Sequence, residues 1–172
     1  SPADLAEHPG GSEIWFDATD GVISEVTISG NTIQATVQTG GANIRVVGTD
    51  VQRPQPADTP KAQKPDTAHL INITGNVLGS QWRAVELRNV SRVTITGNTI
   101  YDSADLSLFA AHSAGIVVSG NTFAWRGLDS ERTKDGLRFE DCDNVLLSGL
   151  ATQRFCAGSD ERGAAVTFVR CS

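Results

Sequence analysis

Four side chains in two short segments are of the type and spacing that acid–base or charge-pairing chemistry needs. Glu86 and Arg88 lie in Ala84-Val85-Glu86-Leu87-Arg88, and Arg138 and Glu140 lie in Gly136-Leu137-Arg138-Phe139-Glu140. In each segment one apolar residue separates the two charges. In a strand, both charges then project from the face opposite the apolar residues. A carboxylate in such a place can take or give a proton, and a guanidinium can grip a second carboxylate through paired hydrogen bonds. Nearby segments add Tyr101, Trp125, Arg132, Lys134 and Asp135. The candidate catalytic set is Arg138, Glu140, Lys134 and Glu86, and the candidate binding set is Arg88, Trp125, Arg132, Asp135 and Tyr101. The same charges also serve a purely structural end, as ion pairs between neighbouring strands on a solvated sheet.

What positions these residues is a repeat. Val26-Thr27-Ile28-Ser29-Gly30-Asn31-Thr32-Ile33 returns as Ile71-Asn72-Ile73-Thr74-Gly75-Asn76-Val77-Leu78. It returns again as Val93-Thr94-Ile95-Thr96-Gly97-Asn98-Thr99-Ile100 and as Ile116-Val117-Val118-Ser119-Gly120-Asn121-Thr122-Phe123. The Asn anchors at 31, 76, 98 and 121 leave a double interval between the first two. Ile44-Arg45-Val46-Val47-Gly48-Thr49-Asp50-Val51 reads as the missing copy with Thr49 in the Asn position, and Val145-Leu146-Leu147-Ser148-Gly149-Leu150 reads as a further degenerate copy. A unit of this period, too short for a strand–helix–strand repeat, marks a solenoid. Each rung is a first strand, a turn, a second strand, the Gly-Asn corner and a third strand. The expected fold is all-β, a right-handed parallel β-helix of about seven rungs with three short strands each, stacked at about 4.8 Å. At the corner, Asn tolerates a left-handed backbone, and stacked Asn amides can bond to their copies above and below.

Strand alternation puts Val85/Leu87, Leu137/Phe139 and Val166/Phe168 inside. The outward first-strand columns then run Glu86, Ser107, Arg138, Thr167 and Arg88, Phe109, Glu140, Val169, with a one-residue insertion assumed at 107/109. Residues 1–172 form a single domain carrying a Pro-rich surface insertion at 52–67, where four Pro exclude helix and ladder alike. Length variation gathers between the third strand and the next first strand, at 101–105, 124–135 and 153–163. Loops on a rigid scaffold are where binding and catalysis concentrate. The last segment, Val166–Ser172, reads as the first strand of a rung, which leaves an open end. Either the chain is a piece of a longer polypeptide, or another chain or a second copy covers that end.

The unit ending Val-x-Ile-x-Gly-Asn-Thr-Ile resembles the parallel β-helix repeat of the pectin-lyase-like superfamily, over roughly residues 14–172. The resemblance implies an extracytoplasmic or secreted module that acts on, or binds, an acidic or neutral polysaccharide along the first-strand face. Aromatic rings would stack on sugars there, and Arg or Lys would pair with uronate carboxylates. If the chain is an enzyme, the resemblance implies a polysaccharide lyase, glycoside hydrolase or epimerase. None of their signatures is present: Asn31, Asn98 and Asn121 are followed by Thr-Ile or Thr-Phe rather than Thr-Asp, Arg53-Pro54-Gln55-Pro56 does not match the lyase Arg-x-Pro-x-x-Arg, and no Asp-Pro-His occurs. The alternative is a non-catalytic structural or interaction module, adhesin-, tailspike- or scaffold-like, packing end to end with another chain.

Composition narrows the partners. The net charge of −6 argues against nonspecific binding to nucleic acid or anionic membranes, and no apolar run approaches the roughly 18 residues of a membrane helix. No cofactor is expected: Asp17, Asp20, Asp141 and Asp143 are of a type that ligates calcium, but no loop copies a calcium motif. His8 and His69 have no ligand spacing, and His112, expected in a turn, has no evident Ser or Asp partners for a triad. The three Cys, at 142, 156 and 171, include no Cys-x-x-Cys pair. Cys142 and Cys171 take the same rung position as Val90, so they stack either as buried thiols or as a disulfide between neighbouring rungs.

Overall fold

A computed structural model describes residues 11–49, 67–124, 136–153 and 165–172. The insertion at 52–67 lies almost wholly outside them. The first turn consists of β1 (Ser12–Ala18), β2 (Ile23–Ser29) and β3 (Thr32–Gln34). The second has β4 (Ala42–Gly48), β5 (Ala68–Thr74) and β6 (Val77–Gly79), and the third β7 (Arg83–Arg88), β8 (Ser91–Thr96) and β9 (Thr99–Tyr101). The fourth has β10 (Leu106–Ala111), β11 (Ala114–Ser119) and β12 (Thr122–Ala124). The fifth has β13 (Leu137–Glu140), β14 (Asp143–Ser148) and β15 (Ala151–Gln153), and β16 (Val166–Val169) follows. Every pairing is parallel and joins equivalent strands of successive turns, so three sheets run the length of the rod. The fold is a parallel β-helix.

The described residues form five complete turns and the opening strand of a sixth, fewer than the seven rungs expected. The difference lies at Ile44–Thr49. This segment is not a second strand of an extra rung. It belongs to β4 of the first sheet, where Ile44 pairs with Ile14 and Val85. Thr49 accordingly stands outside the Asn ladder. Its N–H donates to Thr67 Oγ1 at 2.7 Å, and its hydroxyl donates to the Ala18 and Thr19 carbonyls.

The core is a set of aliphatic stacks. In the first sheet one runs Ile14, Ile44, Val85, Leu108, Leu137, Val166, and the other Phe16, Val46, Leu87, Ala110, Phe139, Phe168. Small Ala110 between Leu87 and Phe139 lets large neighbours interlock. Ile71, Val93 and Ile116 with Ile73, Ile95 and Val118 fill the second sheet, and Leu78, Ile100 and Phe123 the third, all essentially inaccessible to water. Burying each such side chain stabilises by about 1.5–3 kcal/mol, and no turn can bury its own without its neighbours.

The corners are columns of left-handed backbone. Asn89, His112, Asp141 and Arg170, with φ between 50 and 52°, make the bend out of the first sheet. Glu25, Leu70, Arg92, Gly115 and Asn144 form a second column. At the Gly-Asn corner the left-handed residue is the Gly (Gly30, Gly75, Gly97, Gly120 and Gly149), not the Asn, which corrects the backbone role expected for Asn. The Asn forms the amide ladder. Asn31 donates to Asn76 Oδ1, Asn76 to Asn98 Oδ1 and Asn98 to Asn121 Oδ1, through both backbone N–H and Nδ2, at 2.9–3.0 Å. Leu150 takes the next place and packs on the core instead.

Candidate functional site

The outer face of the first sheet carries two columns. One runs Trp15, Arg45, Glu86, Phe109, Arg138, Thr167, and the other Asp17, Val47, Arg88, Ala111, Glu140, Val169. This corrects the expected register in β10. Phe109, not Ser107, stands between Glu86 and Arg138, because Leu108 and Ala110 take the inward positions.

At the N-terminal side of this face a cleft of about 310 Å³ is lined by Trp15, Gly40, Arg45, Val47, Arg83, Glu86 and Arg88. Glu86 is its hub. Its Oε2 accepts from Arg45 Nη2 at 2.9 Å, and its Oε1 accepts from Arg88 Nε at 2.7 Å and lies 3.4 Å from Arg83 Nη1. Burial alone would raise the Glu86 pKa. The guanidiniums of Arg83, Arg45 and Arg88 outweigh it and hold the carboxyl below the ordinary value. Arg83 also bonds Asp105 at 2.8 Å. Arg83 and Arg88 sit 4.3 and 4.7 Å from the centre of the Phe109 ring, which is buried beneath them. Trp15 is half exposed, with the Arg45 guanidinium 5.6 Å from its ring centre. Arg45 is buried, donates to the Gly40 carbonyl, and keeps Nε and Nη1 without a hydrogen-bond partner. The lining thus sets three cations around one carboxylate beside an accessible aromatic face, an arrangement that favours anions and repels cations.

A partly buried polar network, centred on buried Gln81 and Asn43, holds the corner that brings Gly40 to the cleft. Gln81 Nε2 donates to Glu13 Oε1 at 3.0 Å, Asn43 Nδ2 to Glu13 Oε2 at 3.1 Å, and the N–H groups of Gln38 and Trp82 donate to Gln81 Oε1.

Of the residues singled out from sequence, Glu86 and Arg88 line the cleft. Arg138 and Glu140 lie further along the face and bond to each other at 2.7 Å along one strand. Tyr101 lies on the third sheet, its ring packed on Gly79 so closely that a Cβ there would come within 2.4 Å of it. Lys134, Trp125, Arg132 and Asp135 lie outside the described residues. Sequence reasoning missed Trp15, Arg45 and Arg83 as members of the site. The alternating run Glu13-Ile14-Trp15-Phe16-Asp17 carried the signal for Trp15, since inward Ile14 and Phe16 force it outward.

A second group of chemical interest lies inside the corner after the first sheet. Val90, Ser113, Cys142 and Cys171 stack in one column there. The Val90 N–H donates to Ser113 Oγ at 3.2 Å, and the Cys142 N–H to Cys171 Sγ at 3.4 Å. Both thiols are free, so the column is a thiol stack and not a disulfide. Cys142 is fully buried, and burial pushes its pKa up to about 11. Cys156 lies outside the described residues.

Comparison with known proteins gives a family and a fold. The family described as "Periplasmic copper-binding protein (NosD)" matches residues 14–151. The donors can be tested against copper. Among the described residues no group of three or more His, Cys, Asp or Glu could share an ion, and the sequence contains no Met. A copper centre of three or four such donors does not fit these residues, and the soft donors that do meet are Cys142 and Cys171. The crystal structure of an alginate lyase from Paenibacillus sp. str. FPU-7 superposes with a TM-score of 0.54 at 13% identity, covering 98% of this chain and 61% of that protein. At that identity the likeness concerns the fold. No curated protein matches the chain. The family match spans well over half of the 172 residues, and the chain belongs to the NosD family of parallel β-helix proteins.

Proposed function

We propose that this extracytoplasmic β-helix module binds an acidic oligosaccharide across the outer face of its first sheet. The observation that carries the reading is the half-exposed Trp15 ring beside the Arg45–Glu86–Arg88 cluster in one cleft. Trp15 offers a flat apolar face on which a sugar ring stacks. Arg88, the most exposed of the three guanidiniums, pairs with a carboxylate of the ligand. Arg45 and Arg83 keep the site positive, and Glu86 orients all three. Arg138 and Glu140 extend the strip, and Lys134, Arg132, Asp135 and Trp125 stand as further contacts in the same reading, whereas Tyr101, on the third sheet, does not.

Binding rather than turnover is the favoured activity. A carboxylate held ionised by three guanidiniums is a weak base, so Glu86 acts by positioning Arg side chains and not by moving a proton. Glu140, bonded to Arg138, is similarly engaged. Copper, the ligand in the family's description, is not assigned to this cleft, because its Arg-rich lining repels cations.

Calorimetric titration with oligouronates and with neutral oligosaccharides of equal length tests the proposal. The acidic series is expected to bind, with an affinity that falls as salt rises. Trp15→Ala and Arg88→Gln are each expected to weaken binding about tenfold or more, as loss of about 1.4 kcal/mol would. No binding to any acidic glycan, or full binding by Trp15→Ala, would overturn it and leave the interaction-module reading.

A further inference from the structure

The cleft on the first sheet holds hydrogen-bond donors that nothing in it satisfies. Arg45 is 4% exposed, and its Nη2 carries both of its hydrogen bonds, to Glu86 Oε2 and to the Gly40 carbonyl. Its Nε and Nη1 are buried with no partner. A buried donor in that state has given up its hydration for nothing, so its presence calls for a reason. The side chains that line the cleft offer no spare acceptor. Guanidinium and indole groups only donate, which removes Arg83, Arg88 and Trp15, and both Glu86 oxygens already accept from guanidiniums. One wall is free to move. Trp15 stands in register with Arg45 on the outer face, on β1, the terminal strand of the six-stranded sheet. Arg45 and Val47 lie on β4, and Arg83, Glu86 and Arg88 on β7, both of which are paired on two sides. The Trp15 ring is half exposed, and its centre lies 5.6 Å from the Arg45 guanidinium, near the outer limit of about 6 Å for a cation–π contact.

We propose that Trp15 is a cover over Arg45 that the ligand turns aside, and that Arg45 is the residue that selects acidic over neutral sugars. The inference rests on the reading of the cleft as an acidic-glycan site. Arg88, the more exposed cation, meets the ligand carboxylate first. Once the indole has turned, the carboxylate and a neighbouring hydroxyl supply the acceptors that Nε and Nη1 lack. Hydrogen bonds from a guanidinium to a carboxylate are about twice as strong as neutral ones. A neutral sugar brings hydroxyl acceptors but no charge to set against three guanidiniums held around one carboxylate. The turned indole stays at the edge of the cleft and supplies the face on which the sugar ring stacks. While Trp15 is closed the site is incompetent, so the covered fraction slows association and lowers the apparent affinity.

Calorimetric and stopped-flow titrations with oligouronates, and with neutral oligosaccharides of equal length, test it on the native chain, Arg45→Lys and Trp15→Ala. Lysine keeps a charge beside Glu86 but lacks the two spare donors. Arg45→Lys is expected to stay folded by circular dichroism, to bind oligouronates about tenfold or more weakly, and to lose most of the preference for acidic over neutral sugars. Trp15→Ala binds more weakly for want of the stacking face, yet with Arg45 uncovered it is expected to associate about threefold or more faster. In the native chain labelled with fluorotryptophan, the fluorine resonance that Trp15→Ala removes is expected to shift on binding. Absence of oligouronate binding by the native chain overturns the glycan reading and this inference with it. Native binding together with Arg45→Lys binding within about twofold of native, or with Trp15→Ala associating no faster than native, overturns this inference alone. The association rate reads the cover even where Arg45→Lys fails to fold.

Discussion

Arg45 Nη2 and Glu86 Oε2 meet at 2.9 Å between adjacent strands of the first sheet, with only 4% and 6% of their side chains exposed. The carboxylate is shared with Arg83 and Arg88, so removing its charge strands buried guanidiniums rather than deleting one pair. Breaking a buried pair by removing one partner costs about 3–5 kcal/mol. Glu86→Gln is expected to destabilise the chain in that range by urea unfolding. Arg45→Met, which removes a cation that already lacks partners for Nε and Nη1, is expected to cost less. The double variant should be less destabilised than the sum of the two. A Glu86→Gln cost below about 1 kcal/mol, the worth of an exposed pair, would show that the cluster is solvated in solution.

The same carboxylate gives stability a pH dependence of known sign. Burial raises the Glu86 pKa, but the three guanidiniums overcome this, and the folded value lies below the ordinary 4.5. The unfolded chain therefore binds the proton first on acidification. The Glu86 contribution is fully present above about pH 4.5 and is lost as pH falls through the lower folded value. Asp141, lowered chiefly by its hydrogen bond from Arg170, and Asp17, lowered by Thr19, change in the same direction. Unfolding midpoints measured from pH 6 downward should be flat at first and then fall below pH 4.5. Glu86→Gln should remove part of that slope. An unchanged slope in the variant would assign it to the other carboxylates.

The Asn ladder predicts costs that depend on position. Asn98 Oδ1 accepts from the backbone and side chain of Asn76, and its Nδ2 donates to Ile73 O and Asn121 Oδ1, all in the dry interior. Asn98→Ala leaves several of those groups unpaired, at about 1–3 kcal/mol for each buried group. Asn31 is exposed, and its backbone N–H still reaches Asn76 Oδ1 after truncation. Denaturant unfolding should give about 3 kcal/mol or more for Asn98→Ala and under about 1 kcal/mol for Asn31→Ala. Equal costs would deny the ladder its cooperative interior.

The ladder was the legible part of the sequence because Gly-Asn marks one corner uniquely. Apolar alternation does not, since first and second strands of a turn alternate alike. Ile44–Gly48 shows the consequence. Its pattern fits either sheet, and what assigns it is the next residue, Thr49, which meets Thr67 across the Pro-rich segment. Placing that strand on the second sheet sends Arg45 to a different face from Glu86 and hides the cleft. Glu86 and Arg88 were visible as charges on an outward face, whereas their convergence with Arg45 and Arg83 depends on turn count and register. In β10 the run Leu106-Ser107-Leu108-Phe109-Ala110-Ala111 is buried throughout, so its composition does not reveal which residues face out.

Leu70 is a residue at odds with its backbone. It is 42% exposed and holds φ at 55°, in the column where the fourth turn has Gly115 at 64°. A left-handed conformation costs a residue with a Cβ about 1–2 kcal/mol. In an ordinary strand Gly is less stable than Ala by about 0.5–1 kcal/mol; at position 70 the order should invert. Leu70→Ala keeps the strain while removing apolar surface that is only partly buried. Leu70→Gly relieves the strain, offset by roughly 0.4–1 kcal/mol of extra freedom in the unfolded chain. Leu70→Gly is therefore expected to unfold at higher urea than Leu70→Ala, the reverse of the same pair of substitutions at exposed Thr27 of the second sheet, where φ is not positive. The comparison of Gly with Ala at one site cancels the lost leucine contacts and isolates the backbone. If Ala is the more stable at both positions, the left-handed column is set by register alone and carries no strain that sequence change can release.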